Sequence, residues 1–471
     1  MNQIAMRNES DRDCVVFNSI MFSGWINGTG QNLPVSFCGV TQDTRNLKPG
    51  MLYVALKGQN FDGHNFVRKA LGAGAAAALV DQKWASRQEA CDWPLLCVAD
   101  TRRALLDAAS GWRKRSPAKI IGITGSSGKT TTREIAAALF AAGGKVCCTR
   151  ENFNNDIGLP LSILAMQPDC NFGIFELGTN HPGEISLLAE ALEPDAGIIT
   201  SVGSAHIENF GSVEAIAKEK GALLSHLKDG GFSVLSLEME HFREVAACCA
   251  TPPVTVSILN RNADYFAEIK DATSGNLSVT ERDTGICVEL ESGLPGKFNI
   301  YNVLLAYAAA RRSGVRALCA AEALDQIRIP GMRWQKITVA NGAHVINDAY
   351  NANPESVRAV LNVFGNIKSP GRKVVVLGDM LELGDFAKSL HRSIGTAVAK
   401  SNPDFLYLVG PMSGRYISAG ALCAGFSQNN IFCFNDAFSA GRKLAGLLQK
   451  DDLVLLKASR GMHLEEVLDA L

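Results

Sequence analysis

Short apolar runs recur along the chain, and most are separated by stretches long enough for a helix. Residues 119–124, 173–177, 197–201 and 232–237 form one series, and residues 373–378, 405–410, 431–434 and 453–457 form a second. Near-continuous apolar strands with helical spacers predict parallel sheets covered by helices on both faces. Crossovers between such strands are right-handed. The 3.6-residue repeat is clearest over 102–114, 129–142 and 213–227. Ahead of the first series lie shorter strands at 51–56, 79–80 and 95–99, and the Ala/Gly-rich stretch 72–78 reads as close packing between helix and strand. Residues 251–291 read as short antiparallel strands. The pattern therefore predicts an α/β protein of three domains: an N-terminal α/β block over 1–117, a central parallel-sheet block over 118–329, and a C-terminal Rossmann-like block over 330–471. Pro330 and Gly331 mark a linker over 328–333. Two doubly wound units in series predict a cleft with the chemistry between them.

Composition narrows the function classes. The 471 residues carry a formal net charge of -1, which argues against nucleic-acid binding, where a basic excess is usual. Thirteen cysteines, an odd number with no C-x-x-C pair, predict reduced and mostly buried thiols in a cytosolic protein. Residues 1–16 lack the apolar core of a signal peptide. Apolar stretches such as 71–80 and 135–142 fall short of the roughly 20 residues that span a bilayer. The expectation is a cytoplasmic, non-inserted protein, read as a monomer.

The strongest chemical motif is Gly122-Ile-Thr-Gly-Ser-Ser-Gly-Lys-Thr-Thr-Thr132. It follows a strand and opens a helix, where backbone N–H groups and the helix N-terminus favour phosphate. Lys129 can reach terminal phosphates, and the Thr130 hydroxyl can bind Mg²⁺. Ile123 stands where the usual spacing has its first glycine, so the loop, beginning at Gly125, is a short variant.

Glu176 ends the strand at 173–177, and His206 follows the strand at 197–201. Carboxyl ends of parallel strands are where ligands bind in open sheets. A carboxylate and an imidazole there can hold a divalent metal beside a triphosphate. Over 213–227, Ile216, Lys220, Leu223 and Leu227 share one face, while Glu214, Lys218 and Ser225 share the other. Lys220 thus interrupts an apolar stripe. Periodicity leaves two readings open: a lysine whose stem packs while its tip reaches water, or a buried amine of lowered pKa able to take up CO₂ as a carbamate.

Longer strings add a resemblance. Asp43-Thr-Arg45, Lys57-Gly58, Asp62-Gly-His64, the run 151–160 with Asn152, Asn154 and Asn155, Glu176-Leu-Gly-Thr-Asn180, Ala217-Lys-Glu-Lys-Gly221, Pro295–Asn302, Asp348-Ala-Tyr-Asn-Ala-Asn-Pro354, 378–384 and 456–462 together resemble the Mur ligase family, with folylpolyglutamate synthetases as relatives. Phe298, Ala349 and Ala458 depart from the family's usual His, Ser and Gly. The resemblance implies an ATP-dependent ligase that phosphorylates a carboxylate and then joins an amine to it. The strings at 348–354 and 378–384 are similar to those of the family member that adds D-alanyl-D-alanine to UDP-N-acetylmuramoyl-tripeptide in peptidoglycan-precursor synthesis. Alternatives are an amino-acid-adding member, a folylpolyglutamate synthetase relative, or a non-ligase nucleotide-binding regulator. ATP and Mg²⁺ are the implied cofactors, with a carbamate on Lys220. Catalytic roles fall on Lys129, Glu176, His206 and Lys220, and metal contacts on Thr130, Glu176, His206 and carbamylated Lys220. ATP contacts fall on Gly125, Ser126, Ser127, Gly128, Lys129, Thr130, Thr131, Asn299, Asn302, Arg333, Asp348 and Asn351. Substrate contacts fall on Asp43, Thr44, Arg45, Lys57, Asp62, His64, Asn152, Asn154, Asn155, Asn180, Lys457, Ser459 and Arg460.

Overall fold

The computed structural model describes residues 14–58, 60–88, 92–149, 152–327 and 329–471. Glu151 of the 151–160 run and Arg328 of the expected linker lie outside them.

Three main sheets are laid out in chain order. The first has five strands in the order Thr29–Gln31, Leu95–Val98, Ala77–Asp81, Leu52–Val54 and Val40–Thr41. All its pairings are parallel except the first. The Ala-rich strand Ala77–Asp81 is buried at its centre because small side chains let the helix before it pack closely. Helix Thr101–Arg115 starts at Asp100, whose carboxylate accepts the N–H groups of Arg102 and Arg103 at 2.8 and 3.1 Å. Its Trp112 closes an aromatic cluster with Phe17 and Trp25.

The second sheet has nine strands. Lys119–Thr124 lies inside it, with Ala196–Ile199 on one side and Phe172–Glu176 on the other. Strand order reverses at this point, which is where doubly wound sheets open a binding crevice. Val146–Cys148 forms one edge, and it was not among the expected strands. The segment expected to be antiparallel is so only in part. Val254–Ser257 continues the parallel sheet and pairs in parallel with Tyr265–Asp271; only the last two pairings are antiparallel.

The third sheet has six strands: Gln335–Thr338, His344–Asn347, Leu453–Lys457, Lys373–Gly378, Phe405–Val409 and Ile431–Phe434. Only its first pairing is antiparallel. Arg113, 1% exposed, fastens the first helical layer to the central sheet. Its guanidinium donates to the carbonyls of Leu192 at 3.0 Å and Glu193 at 3.1 Å and to the Asp195 carboxylate at 2.8 Å.

The expectation of mostly buried thiols is corrected. Cys147 and Cys170 are paired, and five of the ten described free cysteines are exposed while the others are half-buried. Cys148 and Cys287 lie on edge strands, where outward positions face solvent. Among the described residues, no helix is long and apolar enough to cross a membrane.

Candidate active site

The Gly-rich turn leaves Lys119–Thr124 at Gly125 and enters helix Lys129–Ala141 through Gly128. Both glycines have positive φ, 153° and 85°. A side chain at Gly128 would meet Asn302 Oδ1 at 2.6 Å, and one at Gly125 would collide with Thr200. The loop is therefore pressed between neighbours that only glycine permits. Lys129 Nζ folds back to donate to the Gly125 carbonyl at 2.8 Å. Burial draws its pKa down and the positive Arg333 adds to this, while Glu176 opposes both. Asn302 Nδ2 donates to Asn299 Oδ1 at 3.2 Å, and Asn299 Nδ2 donates to the Pro295 carbonyl at 2.8 Å. This buried asparagine pair backs the loop.

Glu176 sits beside Thr130. The Thr130 hydroxyl donates to Glu176 Oε2 at 2.9 Å, and Asn154 Nδ2 donates to Oε1 at 2.9 Å. Arg133 Nη1 lies 3.7 Å from Oε2. From the third sheet's side, Arg333 Nη2 donates to Thr130 Oγ1 at 3.0 Å, with its guanidinium 4.0 Å over the Tyr350 ring. Thr130, Glu176, Asn154 and Arg333 thus converge, though 203 residues separate the first from the last. Among the described residues, no three His, Cys, Asp or Glu side chains converge as a ready-made metal cage. Where the loop enters its helix, the Thr130 hydroxyl and the Glu176 carboxylate lie side by side as oxygen donors. Hard oxygen donors suit Mg²⁺, which binds through one or two protein ligands plus phosphates and water.

Helix Val213–Ser225 starts at Ser212, whose hydroxyl accepts the Ala215 N–H at 3.2 Å. Lys220 is 2% exposed, between Ile216 at 1% and Leu223 at 0%. Lys218 is exposed. Of the two readings that periodicity left open, the solvent-reaching tip does not occur. Burial holds the Lys220 amine well below the ordinary lysine range, Lys129's charge pushes the same way, and Glu219 opposes. Glu219 went unnoticed in the sequence. Its carboxylate accepts the N–H groups of Gly183 and Ile185, each at 2.8 Å, tying the 179–185 loop to this helix. A buried glutamate on a helix leaves no one-dimensional mark.

His206 has φ 63°. Its Nδ1 lies in contact with the Glu382 carboxylate of the C-terminal block, without an aligned hydrogen bond. The imidazole holds the Glu382 carboxyl below its usual range. Asn353 also went unnamed, although an Asn-Pro step is a readable helix start. It caps helix Pro354–Asn366 and donates through Nδ2 to the Ser126 carbonyl at 3.2 Å and to Ser127 Oγ at 2.9 Å.

Other expected residues are placed as follows. Asp43, Thr44 and Arg45 line a cavity of about 420 Å³ with Tyr53, Phe61, Phe66 and Lys69. Arg45 Nη2 pairs with Asp43 Oδ2 at 2.7 Å, which lowers the Asp43 carboxyl. Lys57 bridges to Asp62 through the backbone. His64 is 3% exposed, and both its ring nitrogens are engaged within the fold. Nδ1 lies 2.7 Å from Asp62 Oδ1, and Nε2 accepts the Asp81 N–H at 3.0 Å. Asn155 Oδ1 accepts the Gly158 N–H at 2.8 Å, so that side chain builds the turn, while Asn152 is exposed. The Asn180 N–H donates to Glu184 Oε2 at 2.6 Å. Lys457, 4% exposed, is committed to Asp348 Oδ2 at 2.6 Å and the Asn351 carbonyl at 3.0 Å. The Ser459 hydroxyl accepts the Leu381 N–H at 2.9 Å, and Arg460 pairs with Glu465 across 2.5 Å. Thr131 is half-buried one residue along the helix from Thr130.

Comparison with known proteins finds relatives along nearly the whole chain. Residues 36–113 match the model described as the Mur ligase family catalytic domain, 123–310 the Mur ligase middle domain, and 332–460 the Mur ligase glutamate ligase domain. The chain is 35% identical to the UDP-N-acetylmuramoyl-tripeptide–D-alanyl-D-alanine ligase of Bacillus subtilis over 91% of its length and 92% of that protein. It is 33% identical to the enzyme of that name from Escherichia coli, over 95% and 96%. A crystal structure of MurF from Acinetobacter baumannii superposes with a TM-score of 0.88 at 26% identity, covering 97% of this chain and 99% of that one. MurF ligase from Thermotoga maritima, solved in complex with ADP, gives a TM-score of 0.77 at 27% identity, covering 92% and 96%. With its phosphate loop, its three sheets and these matches along nearly the whole length, the chain belongs to the Mur ligase family.

Proposed function

We propose that this chain is an ATP-dependent ligase that adds D-alanyl-D-alanine to UDP-N-acetylmuramoyl-tripeptide in peptidoglycan-precursor synthesis, and that it works in the cytoplasm. Residues 1–117 bind the nucleotide sugar, 118–329 bind ATP and carry out ligation, and 330–471 close over ATP and dipeptide. The observation that carries the reading is the convergence of Thr130, Glu176 and Asn154 on the phosphate loop, with Arg333 reaching in from beyond the central block. Similarity to ligases of that name over more than nine-tenths of the chain supports the choice of substrates.

ATP lies with its phosphates along Gly125–Thr131. Lys129 turns from the Gly125 carbonyl to the terminal phosphates and offsets charge as the tripeptide carboxylate attacks the γ-phosphorus, the bond to the β-phosphate oxygen breaks and ADP is released. The acyl phosphate formed is then attacked by the amine of the dipeptide, and phosphate leaves. Thr130 and Glu176 would hold one Mg²⁺, and His206 with a carbamate on Lys220 a second; bound there, the ions supply charge neutralisation at the phosphates. A neutral, buried Lys220 amine is the form able to take up CO₂. Asn351 and Arg460 flank the cleft whose closing excludes water from the acyl phosphate, and Lys457 holds the Asn351 carbonyl from beneath. Phosphate release from ATP is the test. It should require both the nucleotide-sugar tripeptide and D-alanyl-D-alanine; equal turnover with a single amino acid in place of the dipeptide would overturn the reading.

A further inference from the structure

Beside the bond from Arg333 to Thr130, two rows of contacts join the central and C-terminal blocks. In the first, Asn353 holds the Ser126 carbonyl and Ser127 hydroxyl, and Ser204 Oγ donates to the Glu355 carboxylate at 3.0 Å. In the second, His206 Nδ1 meets Glu382 Oε2, and the Glu208 N–H donates to the Glu382 carbonyl at 3.3 Å. Gly384 lies against Glu208 so closely that a side chain there would meet it at 3.1 Å. His206 and Glu382 both adopt left-handed backbone, φ 63° and 62°. Non-glycine residues take that conformation at a cost and keep it where surroundings impose it. Here each faces the other across the boundary. The pair borders a cavity of about 150 Å³ that Asn351, Ser459 and Arg460 also line.

Imidazoles that bind metal through one ring nitrogen almost always engage a carboxylate, carbonyl or water through the other, which fixes the ring. We infer that Glu382 is the positioning residue for His206: the C-terminal block supplies, across the boundary, a carboxylate in contact with Nδ1, whose hydrogen bond to the ring aligns when Nε2 takes a divalent cation. The cation site is then complete only while the two blocks are docked, so docking and cation binding strengthen each other. A half-exposed carboxylate suits this role, because it can release the ring when the blocks part. The inference rests on the proposed role of His206 as a cation ligand, and the experiment separates the two.

The full chain, with ADP, is titrated with Mn²⁺ while free ion is counted by electron paramagnetic resonance. The variants are Glu382→Gln, His206→Ala and the double variant, each checked by thermal melting. Loss of such a carboxylate typically costs about 10–100-fold in metal affinity. Glu382→Gln should weaken Mn²⁺ binding by about that factor while ADP binding without metal stays unchanged, and the double variant should bind no more weakly than His206→Ala. Unchanged Mn²⁺ affinity in Glu382→Gln, with weakened binding in His206→Ala, overturns the role of Glu382 and leaves His206 as a ligand. Losses that add in the double variant also overturn it. Unchanged affinity in His206→Ala removes the cation reading of His206, and this inference with it.

Discussion

Replacing Lys220 separates packing from chemistry, because two substitutions there do different things to the same space. The side chain is 2% exposed and lies between Ile216 and Leu223. Lys220→Ala deletes the packed stem and the amine together. Emptying a buried site of comparable size costs about 2–5 kcal/mol, depending on how far the surroundings collapse. Lys220→Met keeps most of the stem and removes a group whose burial disfavours its charge, so its stability should match or exceed that of the parent protein. Both variants lose the proposed carbamate, and ligation should fall in both by about 10²–10³-fold, the usual cost of one preorganised electrostatic contact. They should then diverge in rescue. Formate or acetate fits the space vacated in Lys220→Ala and should restore part of the rate, whereas the methionine side chain leaves no room for it. The assay is phosphate release with both substrates, run beside thermal melting, with ¹³C-bicarbonate labelling of the parent protein to detect the carbamate. An active Lys220→Met enzyme would refute the reasoning, since it would show the buried lysine to be packing alone. Lys218→Ala, on the exposed face, is the control and should change stability by no more than about 0.5 kcal/mol.

Lys129→Ala should leave melting unchanged and lower turnover by about 10²–10³-fold; near-parental phosphate release would show that the loop is not the reacting site. Arg113→Ala should leave the Leu192 and Glu193 carbonyls without their buried donor and lower stability by about 1–3 kcal/mol, read as an earlier melting transition with the nucleotide dissociation constant unchanged. Glu281 provides the pH test. Burial raises its carboxyl pKa, but hydrogen bonds from Arg311 and from Tyr307, the latter at 2.8 Å, bring the net value below the ordinary range. A carboxylate depressed in the folded state stabilises above the unfolded pKa, and that contribution is lost as pH falls through the folded value. Urea midpoints between pH 7 and pH 3 should therefore fall less steeply in Glu281→Gln than in the parent, and parallel curves would contradict this.

What the sequence alone determined is what short stretches of chain can encode. Strand, glycine turn, Lys129 and helix are contiguous, so the phosphate loop was legible. The strands Lys373–Gly378 and Leu453–Lys457 were legible as buried apolar runs, and Ile431–Phe434 as an apolar run although it is only half-buried at the sheet edge. The inward face of Lys220 followed from a 3.6-residue repeat. The strands Val146–Cys148 and His344–Asn347 were not readable, being too short to show a repeat of their own and defined by their pairing with Phe172–Glu176 and Leu453–Lys457. Side-chain roles depended still more on distant partners. His64 reads in the sequence as a substrate contact, and only the fold shows its second nitrogen accepting the N–H of Asp81, 17 residues on. Lys457 became a buried ion pair through Asp348, 109 residues away, and Asn353 reached the phosphate loop across 227. Local periodicity states which way a side chain points; only the folded chain decides what it meets there, because hydrogen bonds and ion pairs act over a few ångströms whatever the separation along the sequence.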